Sequence, residues 1–217
     1  MKKKLVIFDL DGTLLDTLSD IASTANKVLE ELGYKTHDEQ SYKSFVGDGA
    51  KELVRRAISP VDDEKETQKA FDLFKSYYDN RVDDKTIPFD GVIPMLQELE
   101  NFCDIAILSN KPHLFTLKEV KKFLSMISFQ EVHGQKEELP KKPDPSGVFN
   151  ILNLLDKSYE EMYFVGDTAV DMKTASASDF RSIGVTWGYQ TKQRLLEHGA
   201  SYIVDTPKEI SEIILKK

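Results

Sequence analysis

Four aspartates stand directly after apolar runs of the sequence. Asp9 and Asp11 follow the first run in "LVIFDLDGT", and Asp167 and Asp171 follow a later one in "YFVGDTAVD". Carboxylates that are brought together repel one another, so they must be neutralised by protons or by a cation. Hard oxygen ligands of this kind suit Mg²⁺, which keeps places for water and for a substrate phosphate. The pattern therefore predicts a magnesium site made of aspartates.

Other polar groups follow further apolar runs or precede a helical stretch. Ser109, Asn110 and Lys111 occur in "LSNKP", and two lysines occur in "PKKPDP". With a cation and a lysine to offset the repulsion between two anions, an aspartate can act as a nucleophile towards phosphorus. Ser109 and a lysine would hold the phosphoryl oxygens, where charge is spread in the transition state. These residue types are the ones that phosphoryl transfer needs.

The elements that must position these residues alternate along the chain. The predicted strands are 5–8, 105–108, 162–166, 182–187 and 202–204, with a weaker one near 129–134. The predicted helices are 91–101, 113–124, 145–156, 169–178, 190–198 and 207–216. Several strands are apolar throughout, which is typical of parallel strands buried on both faces. The alternation predicts an α/β fold with a doubly wound, Rossmann-like parallel sheet, whose ligands bind beyond the carboxyl ends of the strands.

Residues 16–84 interrupt this alternation with helical patterns alone. A first helix runs to Gly33 from a possible capping box of Thr17 and Asp20, and a second covers roughly 49–58. A third carries an apolar stripe, interpreted as core because its spacing is helical: Ala70, Phe71, Phe74, Tyr77 and Tyr78. The sequence therefore predicts an all-helical cap domain at 16–84, inserted into a core domain made of 1–15 and 85–217.

Composition limits the classes of protein that need to be considered. The net charge is −8, from 29 basic and 37 acidic residues, which disfavours a nucleic-acid partner. No apolar run approaches the roughly 20 residues that span a bilayer, and the basic, then apolar start lacks a signal-peptide cleavage site. The single cysteine, Cys103, fits a reducing compartment. We expect a cytoplasmic protein, monomeric or homodimeric, with neither a nucleic acid nor a membrane as partner.

Taken in order, the motifs resemble those of the haloacid dehalogenase-like (HAD) superfamily of aspartate-nucleophile phosphatases, over nearly the whole chain. The resemblance of "DLDGT" implies that Asp9 is the nucleophile and Asp11 the general acid and base, with the Asp11 main-chain carbonyl also binding Mg²⁺. The resemblance of "GDTAVD" implies that Asp167 binds the metal directly and that Asp171 supports it. The metal ligands so implied are Asp9, Asp11, Asp167 and Asp171.

The two remaining motifs of the superfamily fall on polar residues already noted. The second matches Ser109, with Asn110 beside it, and both are predicted to bind substrate. The third is the lysine before proline in "KKPDP", which is Lys142 rather than Lys141. Lys142 joins Asp9 and Asp11 as the predicted catalytic residues. A haloacid dehalogenase proper would not need the second aspartate at Asp11, so this residue favours a phosphatase.

The helical insertion is similar to the cap of phosphoglycolate phosphatases, a subgroup of the superfamily. The stretch "FVGDGAKELVRRAI" (45–58) resembles the substrate-facing loop and helix of that cap, and "SNKP" and "IGVTWGY" are also similar. The resemblance implies that four cap residues approach the substrate's leaving group: Gly47, Asp48, Gly49 and Lys51. Arg55 and Arg56 are further candidates for a carboxylate or second phosphate, although arginines on a helix are more often exposed.

The expected substrate is a small phosphorylated metabolite, with phosphoglycolate first among the candidates. Pyrophosphatase, sugar phosphatase and β-phosphoglucomutase-like phosphotransferase activities of the same superfamily remain alternatives. An alternative of another class is a non-catalytic, phosphate-binding regulatory module, but such a protein would be expected to lose a nucleophile or metal aspartate. One departure from the subgroup is Ser178-Asp179, where an Ala-Gly pair is usual, so we expect an altered helix end there.

Overall fold

The structure is a computed structural model that describes residues 4–80 and 85–216. Its strands are β1 (Lys4–Phe8), β2 (Leu15–Asp16), β3 (Ile87–Pro88), β4 (Cys103–Pro112), β5 (Glu131–Gln135), β6 (Met162–Gly166), β7 (Arg181–Val185) and β8 (Tyr202–Val204). Its helices are α1 (Leu18–Leu32), α2 (Ala50–Ala57), α3 (Glu64–Asn80), α4 (Val92–Leu99), α5 (His113–Phe123), α6 (Ser146–Leu155), α7 (Ala169–Ala177), α8 (Lys192–Glu197) and α9 (Pro207–Leu215). A short 3₁₀ helix covers Glu39–Ser44.

Six parallel strands form the main sheet in the order β5-β4-β1-β6-β7-β8. The chain starts in the middle of this sheet, because β1 pairs with β4 on one side and with β6 on the other. The predicted doubly wound α/β sheet is confirmed. The residues at 186–187, predicted as strand, lie beyond β7, and the antiparallel pair β2–β3 was not predicted.

The side chains of β1 alternate between two apolar clusters, one on each face of the sheet. Leu5 and Ile7 pack with residues of α6 and α7, whereas Val6 and Phe8 pack with residues of α4 and α9. All four side chains are fully buried. A strand covered on both faces cannot be polar on either, which explains the unbroken apolar run that precedes Asp9.

A third apolar cluster joins the helices α1, α2 and α3. Of the stripe on α3, Ala70, Phe74 and Tyr78 are buried, which agrees with its interpretation as core, whereas Phe71 and Tyr77 are half-buried. Phe115 of α5 belongs to the same cluster, so this cluster touches the sheet-bearing part of the chain. The predicted domain limits at residues 1, 84 and 217 lie outside the described residues.

The start of α1 differs from the prediction of a capping box. The side chain of Thr17 makes no capping bond; its hydroxyl donates to Asp11 Oδ1 over 2.7 Å instead. Asp20 is buried, and its Oδ2 accepts a hydrogen bond from the main-chain N–H of Thr86 over 3.0 Å. The prediction of a capping box is therefore wrong, because the Thr17 and Asp20 side chains bind partners on neighbouring segments rather than the end of the helix.

Ser178 and Asp179 follow α7, and the altered helix end expected there stays a prediction. Asp179 adopts a left-handed conformation with φ of 60°, the conformation for which Gly is favoured. Ser178 Oγ donates to the carbonyl of Thr174 over 2.7 Å and so holds the last turn. Across the described ranges, none of the helices has the length and apolar character that a membrane span requires.

Candidate active site

Three buried aspartates meet at the carboxyl edge of the sheet. Asp9 follows β1 and Asp167 follows β6, and these strands are neighbours in the sheet. Asp171 lies in the first turn of α7, directly after β6. One carboxylate oxygen from each of Asp9, Asp167 and Asp171 lies within 4.8 Å of the others. The sheet topology therefore assembles carboxylates that are up to 162 positions apart in the sequence numbering.

Asp9 is held on one side by main chain and on the other by a lysine. Its Oδ1 accepts a hydrogen bond from Leu10 N–H over 2.7 Å and lies 3.0 Å from Lys142 Nζ. Burial raises the pKa of Asp9 to about 7, with Lys142 opposing the rise and Asp171 and Asp11 adding to it. The ionised form of Asp9 therefore needs a positive charge beside it at neutral pH.

Lys142 and Asp171 form a buried ion pair, and Asp171 also bonds to the residue that caps the start of α7. Lys142 Nζ donates to Asp171 Oδ1 over 2.6 Å. Asp171 Oδ2 accepts from both the main-chain N–H and the hydroxyl of Thr168, at 3.0 and 2.6 Å. Burial alone would lower the pKa of Lys142, but Asp171 and Asp9 raise it, so the lysine stays charged. Lys141, by contrast, is exposed, and its Nζ donates to the carbonyl of Asp48.

Asp167 is fully buried, as is Asp171. It accepts hydrogen bonds from the Thr13 hydroxyl over 3.0 Å and from Tyr189 N–H over 2.8 Å. Burial raises its pKa well above the usual value, and the nearby charges of Asp171 and Asp9 raise it further. These groups repel one another unless a cation lies between them.

The donor set fits a divalent metal ion. The three aspartates offer only carboxylate oxygens, the donor type that Mg²⁺ prefers, and together with Lys142 they carry a net charge of −2 when ionised. Asp9, Asp167 and Asp171 are therefore the residues that would hold a metal. The Asp11 side chain is not part of this group; its predicted contribution, through the main-chain carbonyl, stays a prediction.

Asp11 lies on the cap-facing side of the site. Its Oδ1 accepts hydrogen bonds from Thr17 Oγ1 over 2.7 Å and from Lys111 Nζ over 2.9 Å. Gly12, with φ of 80°, turns the chain immediately after Asp11. The Asp9 carboxylate lies with those of Asp167 and Asp171, whereas the Asp11 carboxylate bonds to Thr17 and Lys111.

The end of β4 supplies Ser109 and Asn110, both buried. Asn110 Nδ2 donates to the carbonyls of Gly47 and Lys142, at 2.9 and 3.0 Å, and its Oδ1 accepts from Lys142 N–H over 2.8 Å. Ser109 Oγ accepts from Lys111 N–H at 3.3 Å, a weak contact. Asn110 thus fixes the main chain that carries Lys142, whereas the Ser109 hydroxyl is held only loosely.

A cavity of about 50 Å³ lies between these residues and the helices α1–α3. Asp9, Asp11 and Ser109 line its sheet side. Its other side is largely apolar: Ile21, Val46, Gly47, Gly49, Ala50, Leu53, Phe74, Tyr78 and Phe115. The predicted catalytic aspartates Asp9 and Asp11 therefore face a small space, and the apolar cluster of α1–α3, called the cap cluster below, lies on its other side.

The match of a family model decides the relationship. The family described as haloacid dehalogenase-like hydrolase matches residues 6–185. The chain belongs to this family. The haloacid dehalogenase-like hydrolases were the family that the four motifs resembled, and that recognition is confirmed.

Relatives and solved structures agree with this membership. Phosphoglycolate phosphatase of Colwellia psychrerythraea is 30% identical over 217 residues, covering 96% of each chain. The phosphoglycolate phosphatase of Pseudomonas syringae pv. tomato is also 30% identical, over 93% of this chain and 76% of the relative. A crystal structure from Lactobacillus delbrueckii subsp. bulgaricus, which bears phosphoglycolate phosphatase as a provisional name, is 29% identical with a TM-score of 0.92 and full coverage of both chains. The prediction of an enzyme, a phosphatase of this family, is confirmed by these relatives.

More distant neighbours show the fold alone. A haloacid dehalogenase-like hydrolase from Streptococcus pneumoniae is 23% identical, covers 98% of both chains and has a TM-score of 0.86. The arrangement of a parallel sheet with a helical insertion is therefore common to chains of this family whose sequences have diverged widely.

The cap residues predicted to meet substrate divide into two pairs. Gly47 and Gly49 line the cavity. Asp48 and Lys51 are not among its described lining residues; Asp48 pairs with Arg56, and Lys51 Nζ lies 2.6 Å from Glu64. Helical spacing explains the position of Lys51, because Ala50 and Leu53 occupy the face of α2 that turns towards the cavity. The substrate role of Asp48 and Lys51 stays a prediction.

The two arginines of α2 also lie apart from the cavity lining. Arg55 pairs with Glu52 and with Glu64, the latter over 2.6 Å. Arg56 donates to the carbonyl of Phe45 over 3.0 Å. Both cations are partly exposed, so the reading of these arginines as ordinary helix-surface residues agrees with their contacts.

The sequence analysis noted Lys111 but gave no individual role to it or to several other polar residues that border the site. Lys111, Tyr78 and Tyr189 all line the cavity, and Glu119 lies behind them. Tyr189 OH lies 3.0 Å from the hydroxyl of Thr17, next to Asp11. The sequence does point to Lys111, because it follows Asn110 at the end of a strand. Tyr78 and Glu119 lie within helical patterns, which indicate that their side chains are buried but not what they contact.

Proposed function

We propose that the chain is a Mg²⁺-dependent phosphomonoester hydrolase that acts through an aspartyl-phosphate on Asp9. The observation that carries the proposal is the position of Asp9, which borders the cavity while lying beside Lys142 and within the group of three aspartates. When bound there, Mg²⁺ would neutralise the carboxylates and the phosphoryl oxygens. Asp9, Asp167 and Asp171 are the side chains that would hold it.

The first chemical step transfers the phosphoryl group to the enzyme. A carboxylate oxygen of Asp9 attacks phosphorus, a new oxygen–phosphorus bond forms, and the ester bond to the leaving group breaks. Asp11, in its protonated form, gives its proton to the departing oxygen. Asp11 borders the same cavity as Asp9 but lies outside the metal group, which suits a residue that must exchange a proton with the leaving group.

The second step releases phosphate. Asp11, now ionised, takes a proton from water as the water oxygen attacks phosphorus, and the bond from phosphorus to Asp9 breaks. Inorganic phosphate leaves, and both aspartates return to their starting states. Lys142 and Ser109 are proposed to hold the phosphoryl oxygens in both steps, since Lys142 is buried beside Asp9 and Ser109 lines the cavity.

The proposed substrate is a small phosphorylated metabolite, with phosphoglycolate as the leading candidate. The support is the name of the relatives that are 30% identical over nearly the whole chain. Pyrophosphate, sugar phosphates and a phosphomutase reaction remain alternatives within the family. At roughly 10–15 Å³ for each water, a cavity of about 50 Å³ has room for only a few waters, so we propose that substrate enters while the cap is displaced.

The displaced unit is proposed to be the cap domain at 16–84, which would move against a core of 1–15 and 85–217. Its separate apolar cluster on α1–α3 supports this division. We further propose a cytoplasmic protein, monomeric or homodimeric, without a nucleic-acid or membrane partner. The net charge of −8 and the presence of a single cysteine, Cys103, support this setting.

The test is phosphate release by the full chain with and without Mg²⁺, across phosphoglycolate, pyrophosphate, sugar phosphates and nucleotides. We expect release that requires Mg²⁺ and is abolished in Asp9→Asn, with radiolabelled phosphate trapped on the wild-type protein after acid quench. The ranking of substrates by kcat/KM then identifies the subgroup. Failure of every substrate, or equal activity of Asp9→Asn, would favour the non-catalytic phosphate-binding module instead.

A further inference from the structure

We propose that Lys111 is a positioning residue for Asp11, and that the cap residue Tyr78 completes its coordination. The proposal rests on the acid–base role proposed for Asp11. It assigns to three residues outside the four family motifs, Lys111, Tyr78 and Glu119, a common task in the reaction. That task is to orient the carboxyl group that exchanges a proton with the leaving group.

The ammonium group of Lys111 is surrounded by oxygen atoms. Its side chain is only 4% exposed, and Nζ lies 2.9 Å from Asp11 Oδ1, 3.0 Å from Glu119 Oε1 and 2.6 Å from the Tyr78 hydroxyl. A lysine has three N–H groups, so these oxygens match its donors in number. A side chain with otherwise flexible methylene groups is thereby held in one place at the end of β4.

The oxygens around Lys111 come from different parts of the fold. Glu119 lies on α5 and packs with the sheet, whereas Tyr78 lies on α3 of the cap cluster. The Tyr78 hydroxyl donates to Glu119 Oε1 over 2.8 Å while accepting from Lys111. Its ring stacks on Phe74 and packs against Phe115, with centroids 5.3 and 5.2 Å apart. The coordination of Lys111 is therefore complete only while the cap lies over the sheet.

The hydrogen bond from Lys111 makes the two carboxylate oxygens of Asp11 differ in their partners. Among the described residues, both donors to this side chain, Lys111 Nζ and Thr17 Oγ1, bind Oδ1. The last torsion of an aspartate is broad and roughly two-fold, so without donors its oxygens would exchange positions easily. With Oδ1 held by two donors, Oδ2 is the oxygen that remains to exchange a proton with the leaving group. Cap closure and the alignment of Asp11 are thereby linked.

A purely structural role for Lys111 makes a different prediction. A buried lysine that only neutralises Glu119 would, when removed, weaken the fold and reduce all activities alike. A positioning role for the general acid predicts a loss that depends on the leaving group. An alkoxide needs the proton from Asp11 in order to depart, whereas p-nitrophenolate is stable as an anion and needs it much less. The value of kcat/KM reports on this first step.

The experiment compares kcat/KM for phosphoglycolate and for p-nitrophenyl phosphate, with saturating Mg²⁺ and the full chain. The main variant is the double substitution Lys111→Met with Glu119→Gln, which removes the buried cation and the buried Glu119 charge together. We expect its kcat/KM to fall on the order of 100-fold for the alkyl ester but only a few-fold for the aryl ester. Tyr78→Phe, which removes one hydroxyl, should shift the ratio in the same direction by a smaller factor.

Lys141→Met is the matched control. Lys141 Nζ also bonds across the cap, to the carbonyl of Asp48, but it does not touch Asp11. Its removal should change kcat/KM for both esters by the same factor. An equal loss for both esters in the Lys111 and Tyr78 variants would overturn the inference. Should the double variant fail to fold in a thermal melt, the result for Tyr78→Phe decides.

Asp11→Asn separates this inference from the proposed function. If Asp11→Asn loses activity on the alkyl ester selectively and the Lys111 variants do not, the positioning role is wrong while the acid–base role stands. If Asp11→Asn shows no dependence on the leaving group, the acid–base role itself fails, and the inference fails with it. Selective loss in Asp11→Asn and in the Lys111 and Tyr78 variants supports both.

Discussion

The side-chain amide of Asn110 donates a hydrogen bond to the main-chain carbonyl of Gly47 over 2.9 Å, and so connects the end of β4 to the loop before α2. The same side chain also exchanges hydrogen bonds with the main chain of Lys142, at 2.8 and 3.0 Å. One buried residue therefore sets the position of the cap loop relative to the lysine beside Asp9. The distance between this loop and Asp9 depends on it.

Asn110→Ala should reduce both stability and activity. The substitution leaves buried main-chain groups of Lys142 without a partner, at about 1–3 kcal/mol for each group. For a chain of this size, each kcal/mol lowers Tm by about 2–4 °C. We also expect kcat/KM to fall on the order of 10-fold, equivalent to about 1.4 kcal/mol, because Lys142 and Gly47 lose their mutual alignment. Thermal melts and steady-state kinetics measure the two effects.

Asn101→Ala is the control for this prediction. Asn101 is exposed, and its amide donates to the carbonyl of Gln97 at the end of α4 over 2.6 Å. It should leave kcat/KM unchanged and lower Tm only slightly. A variant of Asn110 that loses stability but keeps full kcat/KM would show that the cap loop and Lys142 are positioned by other contacts.

Much of the metal group could be predicted from the sequence because it depends on topology. Asp9 and Asp167 each follow a fully apolar run, and such runs become parallel strands with both faces covered. Since the carboxyl ends of parallel strands meet at one edge, the spacing of these aspartates already indicates that they meet. The position of Asp171 could also be predicted, because a helix must begin directly after β6 and Asp171 lies in its first turn. No side-chain detail was needed for this prediction.

The contacts around Asp11 could not be predicted in the same way. Thr17 has the residue type and position of a helix cap, yet a carboxylate on the preceding turn competes for its hydroxyl. Tyr78 lies on a helical stripe, and periodicity indicates that the ring is buried but not what the hydroxyl contacts. The contact between Tyr78 and Lys111 joins segments 33 residues apart across the cap and the sheet, so it depends on where the cap packs.

Gly12→Ala should abolish activity by displacing a predicted metal ligand. Gly12 has φ of 80°, and a Cβ built on it would overlap Asp167 Oδ2 and lie 2.8 Å from Tyr189 Cε2. The left-handed backbone adds about 1–2 kcal/mol of strain. Because a displacement of about 1 Å can cost on the order of 100-fold in rate, we expect kcat/KM to fall by at least that factor. The measurement is kcat/KM together with Tm.

Gly33→Ala separates crowding from backbone strain. Gly33 ends α1 with φ of 74°, nearly the same conformation, but no atom lies within 4 Å of a Cβ built on it. It should lose similar stability from strain while keeping its activity. Equal kinetic losses in both variants would mean that general destabilisation, rather than the position of Asp167, limits the rate.

Binding of Mg²⁺ should stabilise the folded chain measurably. A ligand present at 100 times its Kd, and bound only by the folded state, contributes about 2.7 kcal/mol. At about 2–4 °C per kcal/mol, the expected rise in Tm is at least about 5 °C over a chelator-treated sample. Asp167→Asn should lose this rise, because it removes one carboxylate of the three that would hold the ion.

The control for metal binding is Asp205→Asn. Asp205 is exposed and accepts a hydrogen bond from Thr186 over 2.7 Å, well outside the group of three aspartates. This variant should retain the full rise in Tm with Mg²⁺. If Asp167→Asn retains it as well, Mg²⁺ binds elsewhere, and the proposed ligands are wrong.

Glu161, at the edge of the sheet opposite the site, should make the stability of the folded chain depend on pH. It accepts hydrogen bonds from Lys216 and Tyr163, both at 2.6 Å, and lies 3.6 Å from Lys4 and from Arg181. The hydrogen bonds from Lys216 and Tyr163, with the positive charges of Lys4 and Lys216, lower the pKa of Glu161 from 4.5 to about 2. The ionised carboxylate therefore stabilises the folded state.

The sign of the pH dependence follows from the direction of this shift. A carboxyl whose pKa is lower in the folded state contributes fully above its unfolded value, and the contribution is lost as pH falls from about 4.5 towards about 2. Glu161→Gln should therefore lower Tm at about pH 6, with the gap to wild type narrowing steadily as pH falls from about 4.5 towards about 2. Exposed Glu137→Gln should show little difference from wild type at either pH. A gap for Glu161→Gln that is independent of pH would mean that its side chain stabilises the fold by packing and neutral hydrogen bonds, not by its charge.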